Sequence, residues 1–226
     1  MANRLSHIVE IVGPAGAGKT ALCRALSRHS KSIYPGNFPD VRSISAAPFF
    51  ISNGLQISTA LFSLPQHNTR KLSRREFAWL SILYGWPDLL QKELKNNQTV
   101  VLDQGPVYLL TETCEFGPEY LRAQKAENLR NELYSRWANT LDMIVWLDAA
   151  DIDLLNRIRR RDKNHIVKNE SAETTYAFLA RFRQAYDRTI SNLTAGRHDL
   201  KILCFDTSKK SSEEIAQQLL LEFGSC

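Results

Sequence analysis

Residues Gly13-Pro14-Ala15-Gly16-Ala17-Gly18-Lys19-Thr20 fit the spacing G-x-x-x-x-G-K-[ST], and those residue types in that order suit one kind of chemistry. Glycines let the backbone turn tightly around an anion, so that successive amide N–H groups point inward. Lys19 supplies a mobile full charge for β- and γ-phosphates, and the Thr20 hydroxyl can coordinate Mg²⁺. A helix starting near Gly18 adds its positive dipole end at the same point. Gly13, Pro14, Ala15, Gly16, Ala17, Gly18, Lys19, Thr20 and Ala21 are therefore the expected nucleotide contacts. The competing reading is a glycine-rich turn that binds nothing. The flanks argue against it: His7–Val12 is a short β-branched run that reads as a buried strand, and Ala21 to His29 has helical composition.

A second group of residues follows from the same chemistry. Val100-Val101-Leu102-Asp103 is an apolar strand ending in a carboxylate. In phosphate-loop proteins a strand beside the first one commonly ends in an acid near the metal, where it holds Mg²⁺ or accepts the proton of an attacking hydroxyl. Asp103 is thus a candidate catalytic residue and, with Thr20, a candidate metal ligand. The plainer role for Asp103 is to form the turn Gln104-Gly105-Pro106.

The third group is basic. Asn156-Arg157-Ile158-Arg159-Arg160-Arg161-Asp162-Lys163 places Arg157 and Arg160 or Arg161 on one helix face. A transferring phosphoryl group spreads charge over its equatorial oxygens, and forked arginine donors stabilise it. A lid carrying Arg157 and Arg161, at about 157–173, could close over the nucleotide and exclude water. The alternative is a solvated basic helix. Asp148 and Asp151 read as the end of a strand and a helix cap. The histidines show no metal spacing, and only His165, in the expected lid, carries a mild functional reading. Phe49, Phe50, Phe62, Tyr84 and Trp86 could stack on an aromatic acceptor, although aromatics there are more often core.

Positioning these groups requires a sheet. His7–Val12, Val41–Ser45, Thr99–Leu102, Met143–Leu147 and Leu200–Phe205 read as buried strands separated by helical segments, the pattern of βαβ units. Ser73/Glu76 and Ser211/Glu214 have the spacing of capping boxes. Gly85-Trp86-Pro87 predicts a kink or break. Pro118 to Asn139 is amphipathic, with Leu121, Leu129, Leu133 and Trp137 on one face. Asp151 to Asp162 and Thr174 to Leu193 read as two further helices. Ala47 to Leu72 reads as a short helix plus loop over a pocket. The expected architecture is one α/β domain over 1–226: a three-layer P-loop NTPase fold whose five-stranded parallel sheet, in order 2-3-1-4-5, is flanked by helices.

Composition narrows the class. The 226 residues are 43% hydrophobic and 23% charged, with no apolar run of membrane-spanning length. Met1 to His7 leads straight into the first strand, so no signal peptide is expected. Cys23, Cys114, Cys204 and Cys226 form no CxxC pair and suit reduced thiols of a cytoplasmic protein. A net charge of +5 suits an anionic small substrate and is too small to argue for nucleic acid.

The order of glycine loop, acid-ending strand, arginine-rich segment and Asp206-Thr207-Ser208 before a last helix resembles the nucleoside and nucleotide kinases. It is most similar to the thymidylate kinase and deoxynucleoside kinase branch. The resemblance is clearest in Arg4–His29, Ala78–Tyr108 and Met143–Phe223. It implies ATP and Mg²⁺ as cofactors, catalytic roles for Lys19, Asp103, Arg157 and Arg161, and nucleotide contacts from Arg157 and Asp206. The partners implied are ATP and a small acceptor; a homodimer is compatible with the chain. Two departures stand out. The family follows the strand-three acid with arginine, where this chain has Gln104. The stretch expected after the second strand, Ser45-Ala-Ala-Pro-Phe-Phe50, has none of the charge that the family places there.

Transfer of the ATP γ-phosphate to a nucleoside, nucleotide or other small hydroxyl compound is therefore the expected function. The alternatives are an NTPase switch or motor and a nucleotide-binding protein without catalysis. The chain lacks the Asn-Lys-x-Asp guanine motif of GTPases, and it has Asp103-Gln104 where AAA-type ATPases have Asp-Glu.

Overall fold

The computed structural model describes residues 7–64, 70–94, 99–162 and 164–225. A five-stranded parallel sheet lies at its centre, formed by β1 (His7–Val12), β2 (Ile33–Gly36), β3 (Thr99–Asp103), β4 (Met143–Asp148) and β5 (Lys201–Asp206), in the order β2-β3-β1-β4-β5. Successive side chains of β1 point to opposite faces, as strand geometry requires. Ile8 and Val12 join a core built with α2 (Ala47–Phe62), α3 (Arg74–Glu93), α4 (Pro106–Leu110), α5 (Glu119–Arg122) and α6 (Glu127–Ala138). Val9 and Ile11 join a second core on the other face, with α1 (Lys19–His29), α7 (Asp151–Arg160) and α9 (Ser212–Ser225). The long α8 (Ala172–Gly196) contributes Leu179 to the second core and Tyr186, Ile190 and Leu193 to the first. The layers are helix, sheet, helix.

Four strands fall where the apolar runs predict them. The second does not. Residues 41–45 form a turn and the start of a 3₁₀ segment, and β2 lies earlier, as Ile33-Tyr-Pro-Gly36. Only Ile33 of this edge strand is buried. A proline and a glycine in a four-residue run read as a turn, yet an edge strand tolerates both. The correction moves the exit of β2 to Asn37-Phe-Pro-Asp-Val-Arg42, which carries Asp40 and Arg42. Ser45 and Ala46 instead end the 3₁₀ segment, and Ala47 to Phe50 begin the sixteen-residue α2.

Both capping boxes are present: Ser73 and Glu76 exchange bonds at the start of α3, and Ser211 and Glu214 do so before α9. The expected break at Pro87 does not occur, and α3 runs through it. Proline forfeits the bond to the carbonyl four residues back. That carbonyl, Leu83, instead accepts the indole N–H of Trp137 at 2.8 Å, and the next one, Tyr84, accepts Arg136 at 3.1 Å. α6 supplies the replacement donor for Leu83 from outside. It starts nine residues later than predicted, after α5 and a 3₁₀ turn, but Leu121, Leu129, Leu133 and Trp137 are all buried. Cys23, Cys114 and Cys204 are unpaired; Cys226 lies outside the described residues. Among the described residues, no helix is long and apolar enough to cross a membrane.

Candidate active site

β1 ends in the glycine loop. Gly13, Gly16 and Gly18 have φ of 142°, 87° and 96°, a region that side chains avoid. At Gly13 space is lacking as well, because an added Cβ would meet the Leu147 carbonyl oxygen at 2.0 Å. Gly18 then caps α1, whose first residue is Lys19. The Lys19 ammonium donates to the carbonyls of Gly13 at 2.7 Å and Pro14 at 3.0 Å. It thus stands across the mouth of its own loop. Burial pushes its pKa down to about 8, against the attraction of Asp103.

Asp103 ends β3 beside this loop. The Thr20 hydroxyl donates to Asp103 Oδ2 at 2.7 Å. A hydroxyl and a carboxylate in contact at a phosphate site are hard oxygen donors, the kind Mg²⁺ selects. The two residues expected to hold the metal therefore sit together. One turn along α1, Cys23 faces the same carboxylate. Burial first, and Asp103 second, push its thiol up to about 12.

Arg157, in the last turn of α7, spans the next stretch. It donates to the Thr207 hydroxyl and carbonyl, both at 2.8 Å, and to the Gly16 carbonyl at 3.3 Å. It joins the glycine loop to the connection between β5 and α9. Arg161, just past α7, lines the same cavity of about 350 Å³, together with Ala21, Thr207, Lys210 and Ser211. Arg159 and Arg160 are exposed, and Arg159 donates to the Glu170 carbonyl at 3.2 Å. His165 lies close enough to Arg161 and Lys19 that they add to the effect of burial in holding its pKa down. Asp206 stands on the correct connection, but its carboxylate is occupied within its own turn. It accepts from the Ser208 N–H at 2.9 Å and the Ser208 hydroxyl at 2.5 Å. Thr207 and Lys210 face the cavity in its place.

Sequence reasoning missed several residues. Arg183, on α8, clamps the end of β4 to the start of α7. It grips Asp148 at 2.8 and 2.9 Å and Asp151 at 2.6 Å. Asp148 does end its strand, but Asp151 lies inside the first turn of α7 and Ala150 is its cap. A second cavity, of about 570 Å³, opens between the exit of β2 and α3, lined by Phe38, Asp40, Arg74, Arg75 and Trp79 among others. Arg75 lies over the Trp79 ring at 4.4 Å, and Trp79 meets Tyr108 edge-on at 6.2 Å. Of the aromatics singled out in the sequence, Trp86 is core and Phe62 is exposed; neither lines this cavity. The topology relates the two cavities. β3, with Asp103 at its end, lies between β2, which exits into the second cavity, and β1, which exits into the glycine loop.

No family model and no curated protein sequence matches the chain. Solved structures do. Thymidylate kinase from Candida albicans superposes over 97% of this chain and 92% of its own, with a TM-score of 0.55 and 17% identity. Deoxyadenosine kinase from M. mycoides, solved with bound dATP, covers 95% of this chain and 99% of its own, at a TM-score of 0.51 and 15% identity. The fold is that of a P-loop kinase. In both comparisons nearly the whole of each chain takes part.

Proposed function

We propose that this chain transfers the γ-phosphate of ATP, bound with Mg²⁺, to a nucleoside, nucleotide or similar small acceptor. One observation carries the reading. The 2.7 Å contact between Thr20 and Asp103 joins the motif hydroxyl to a carboxylate whose strand lies between two separate cavities. An ATPase needs one such cavity; a kinase needs a donor side and an acceptor side.

In this reading the phosphates occupy the loop amides, and Lys19 leaves the Gly13 and Pro14 carbonyls for them. Arg157 and Thr207 bound the base end. Mg²⁺, held by Thr20 and Asp103, would neutralise phosphate charge. Asp103 accepts the proton of an acceptor hydroxyl. Arg161, within residues 157–173 acting as a lid, meets the charge that develops on the moving phosphoryl group. The second cavity suits a flat, anionic acceptor. Trp79 and Phe38 offer aromatic faces, and Arg74 and Arg75 offer positive charge. The solved neighbours are named for thymidylate and deoxyadenosine as acceptors, which points the search to nucleosides and their monophosphates. Unpaired thiols suit a reducing, cytoplasmic compartment.

The test is ADP formation from Mg²⁺-ATP with and without a panel of nucleosides and nucleoside monophosphates. Acceptor-dependent ADP, with a phosphorylated product, is the expected result. Acceptor-independent ADP would make the chain an NTPase. Nucleotide binding with no ADP would make it a binding protein.

A further inference from the structure

β1 carries one acid, Glu10, among the apolar Ile8, Val9, Ile11 and Val12, and it is completely buried. Its partners across the sheet are Leu102 and Ile144. A carboxylate in such a place is costly unless hydrogen bonds hold it; burial pushes its pKa up, and the amide N–H bonds it accepts oppose that push by favouring the ionised form. Packing alone would favour a valine here. What a carboxylate adds is two acceptor oxygens, and both are used. Oε2 accepts the Val107 N–H at 2.7 Å and Oε1 the Tyr108 N–H at 3.2 Å, with the Gly105 amide adding to the same group. These amides open α4, where the helix itself provides no partners. Gly105 is pressed against the carboxylate: a Cβ there would stand 2.9 Å from Glu10 Cδ.

The segment that Glu10 grips starts directly after Asp103. Its first residue, Gln104, has a φ of 67°, and no other non-glycine among the described residues has a positive φ. A left-handed glutamine persists only where the surroundings enforce it. The enforcing contacts are the amides one, three and four residues on, held from the strand that also carries the glycine loop.

We propose that Glu10 is a positioning residue: its carboxylate clamps the amides of the turn after Asp103, keeps Gln104 left-handed, and so fixes Asp103 against Thr20. It touches no nucleotide. The kinetic consequence rests on the phosphotransfer reading; the structural consequence does not.

Glu10→Gln is nearly isosteric and turns one acceptor oxygen into an NH₂ facing an N–H. Hydrogen exchange of Val107 and Tyr108 should become at least ~10-fold faster, while β4 amides stay unchanged. The kcat for acceptor-dependent ADP formation should fall ~10- to 100-fold with KM for ATP within ~2-fold, since a displacement of about 1 Å at a reacting group costs on that order. Glu10→Leu fills the site but removes both acceptors and leaves those amides unpaired, and should lose more kcat than Glu10→Gln when both are assayed well below their melting temperatures. A merely structural role predicts that the leucine variant keeps wild-type kcat. That outcome, or unchanged exchange at 107 and 108, overturns the proposal. A wild-type chain with no acceptor-dependent turnover would defeat the phosphotransfer reading instead, and exchange at 107 and 108 would still decide whether Glu10 clamps the turn.

Discussion

Asp103→Asn removes one charge and little else. Asp103 is half-exposed at the end of β3 and accepts the Thr20 hydroxyl at 2.7 Å. The amide oxygen of asparagine can accept the same bond, so the turn and the Thr20 contact should survive, with stability changed by no more than ~0.5 kcal/mol. The lost charge acts on whatever positive charge gathers at this point, a metal or a leaving proton. At about 4 Å and an effective dielectric of ~20, one unit charge is worth about 4 kcal/mol. At about 1.4 kcal/mol per tenfold, that is roughly a 10³-fold loss of kcat, inside the range of 10²–10⁴ typical of acid–base catalysis. Steady-state ADP formation at saturating ATP and acceptor measures kcat. Binding of a non-hydrolysable ATP analogue measures nucleotide affinity separately, and it should move less than ~3-fold without metal. An asparagine variant that folds and keeps more than about a third of wild-type kcat would refute the reasoning. Asp103 would then be a turn former, since asparagine serves turns equally well.

Lys19→Ala should abolish turnover and weaken nucleotide binding measured by calorimetry, because Lys19 is the charge at the loop mouth and the tie between Gly13 and Pro14. Thr20→Ala should keep nucleotide binding but shift the Mg²⁺ titration of turnover to higher concentration. Arg157→Ala should weaken ATP binding by ~10- to 100-fold, since three bonds between Gly16 and Thr207 disappear; Arg157→Lys should not restore it, because an ammonium cannot fork. Glu76→Gln should cost about 1–2 kcal/mol in denaturant unfolding, the scale of a lost helix cap. Arg70 first, and then Ser73, hold the Glu76 carboxyl down at about 2. Its contribution is therefore complete above the ordinary carboxylate pKa and lost as pH falls from about 5 toward 2, so wild type and variant should converge in acid.

The donor side was legible in the sequence because its signals are local. A glycine loop between a β-branched run and a helix fixes its own conformation, and both capping boxes work within four residues. The central strands were legible for a related reason. Buried on both faces, they read as continuous apolar runs, and β1, β3, β4 and β5 each lie within a residue of their predicted limits. The order of the sheet followed from the alternation of strands and helices. Arg157 was legible as a basic residue near the phosphates, whereas its bonds to Gly16 and Thr207 were not. Partners fifty and more residues apart leave no spacing to read.

The acceptor side was illegible because its strand is defined by its neighbour. β2 is four residues, with a proline, a glycine and one buried side chain; pairing with β3 makes it a strand, and no pattern of its own does. Shifting it from 41–45 to 33–36 changes the functional argument, because the cleft beyond it gains Asp40, and α3 adds Arg74, Arg75 and Trp79. The apparent lack of charge after the second strand was an error of register. The departure at Gln104 has a different standing. It occupies a left-handed turn held by Glu10 from the strand next door, so the position is structurally enforced whatever residue fills it. Glu10 was itself visible in the sequence, as one acid in an apolar strand. Such a residue is a conflict between local and global rules. In this chain the conflict lies one strand away from the carboxylate that the proposed chemistry requires, and the contacts that resolve it end at the turn behind Asp103.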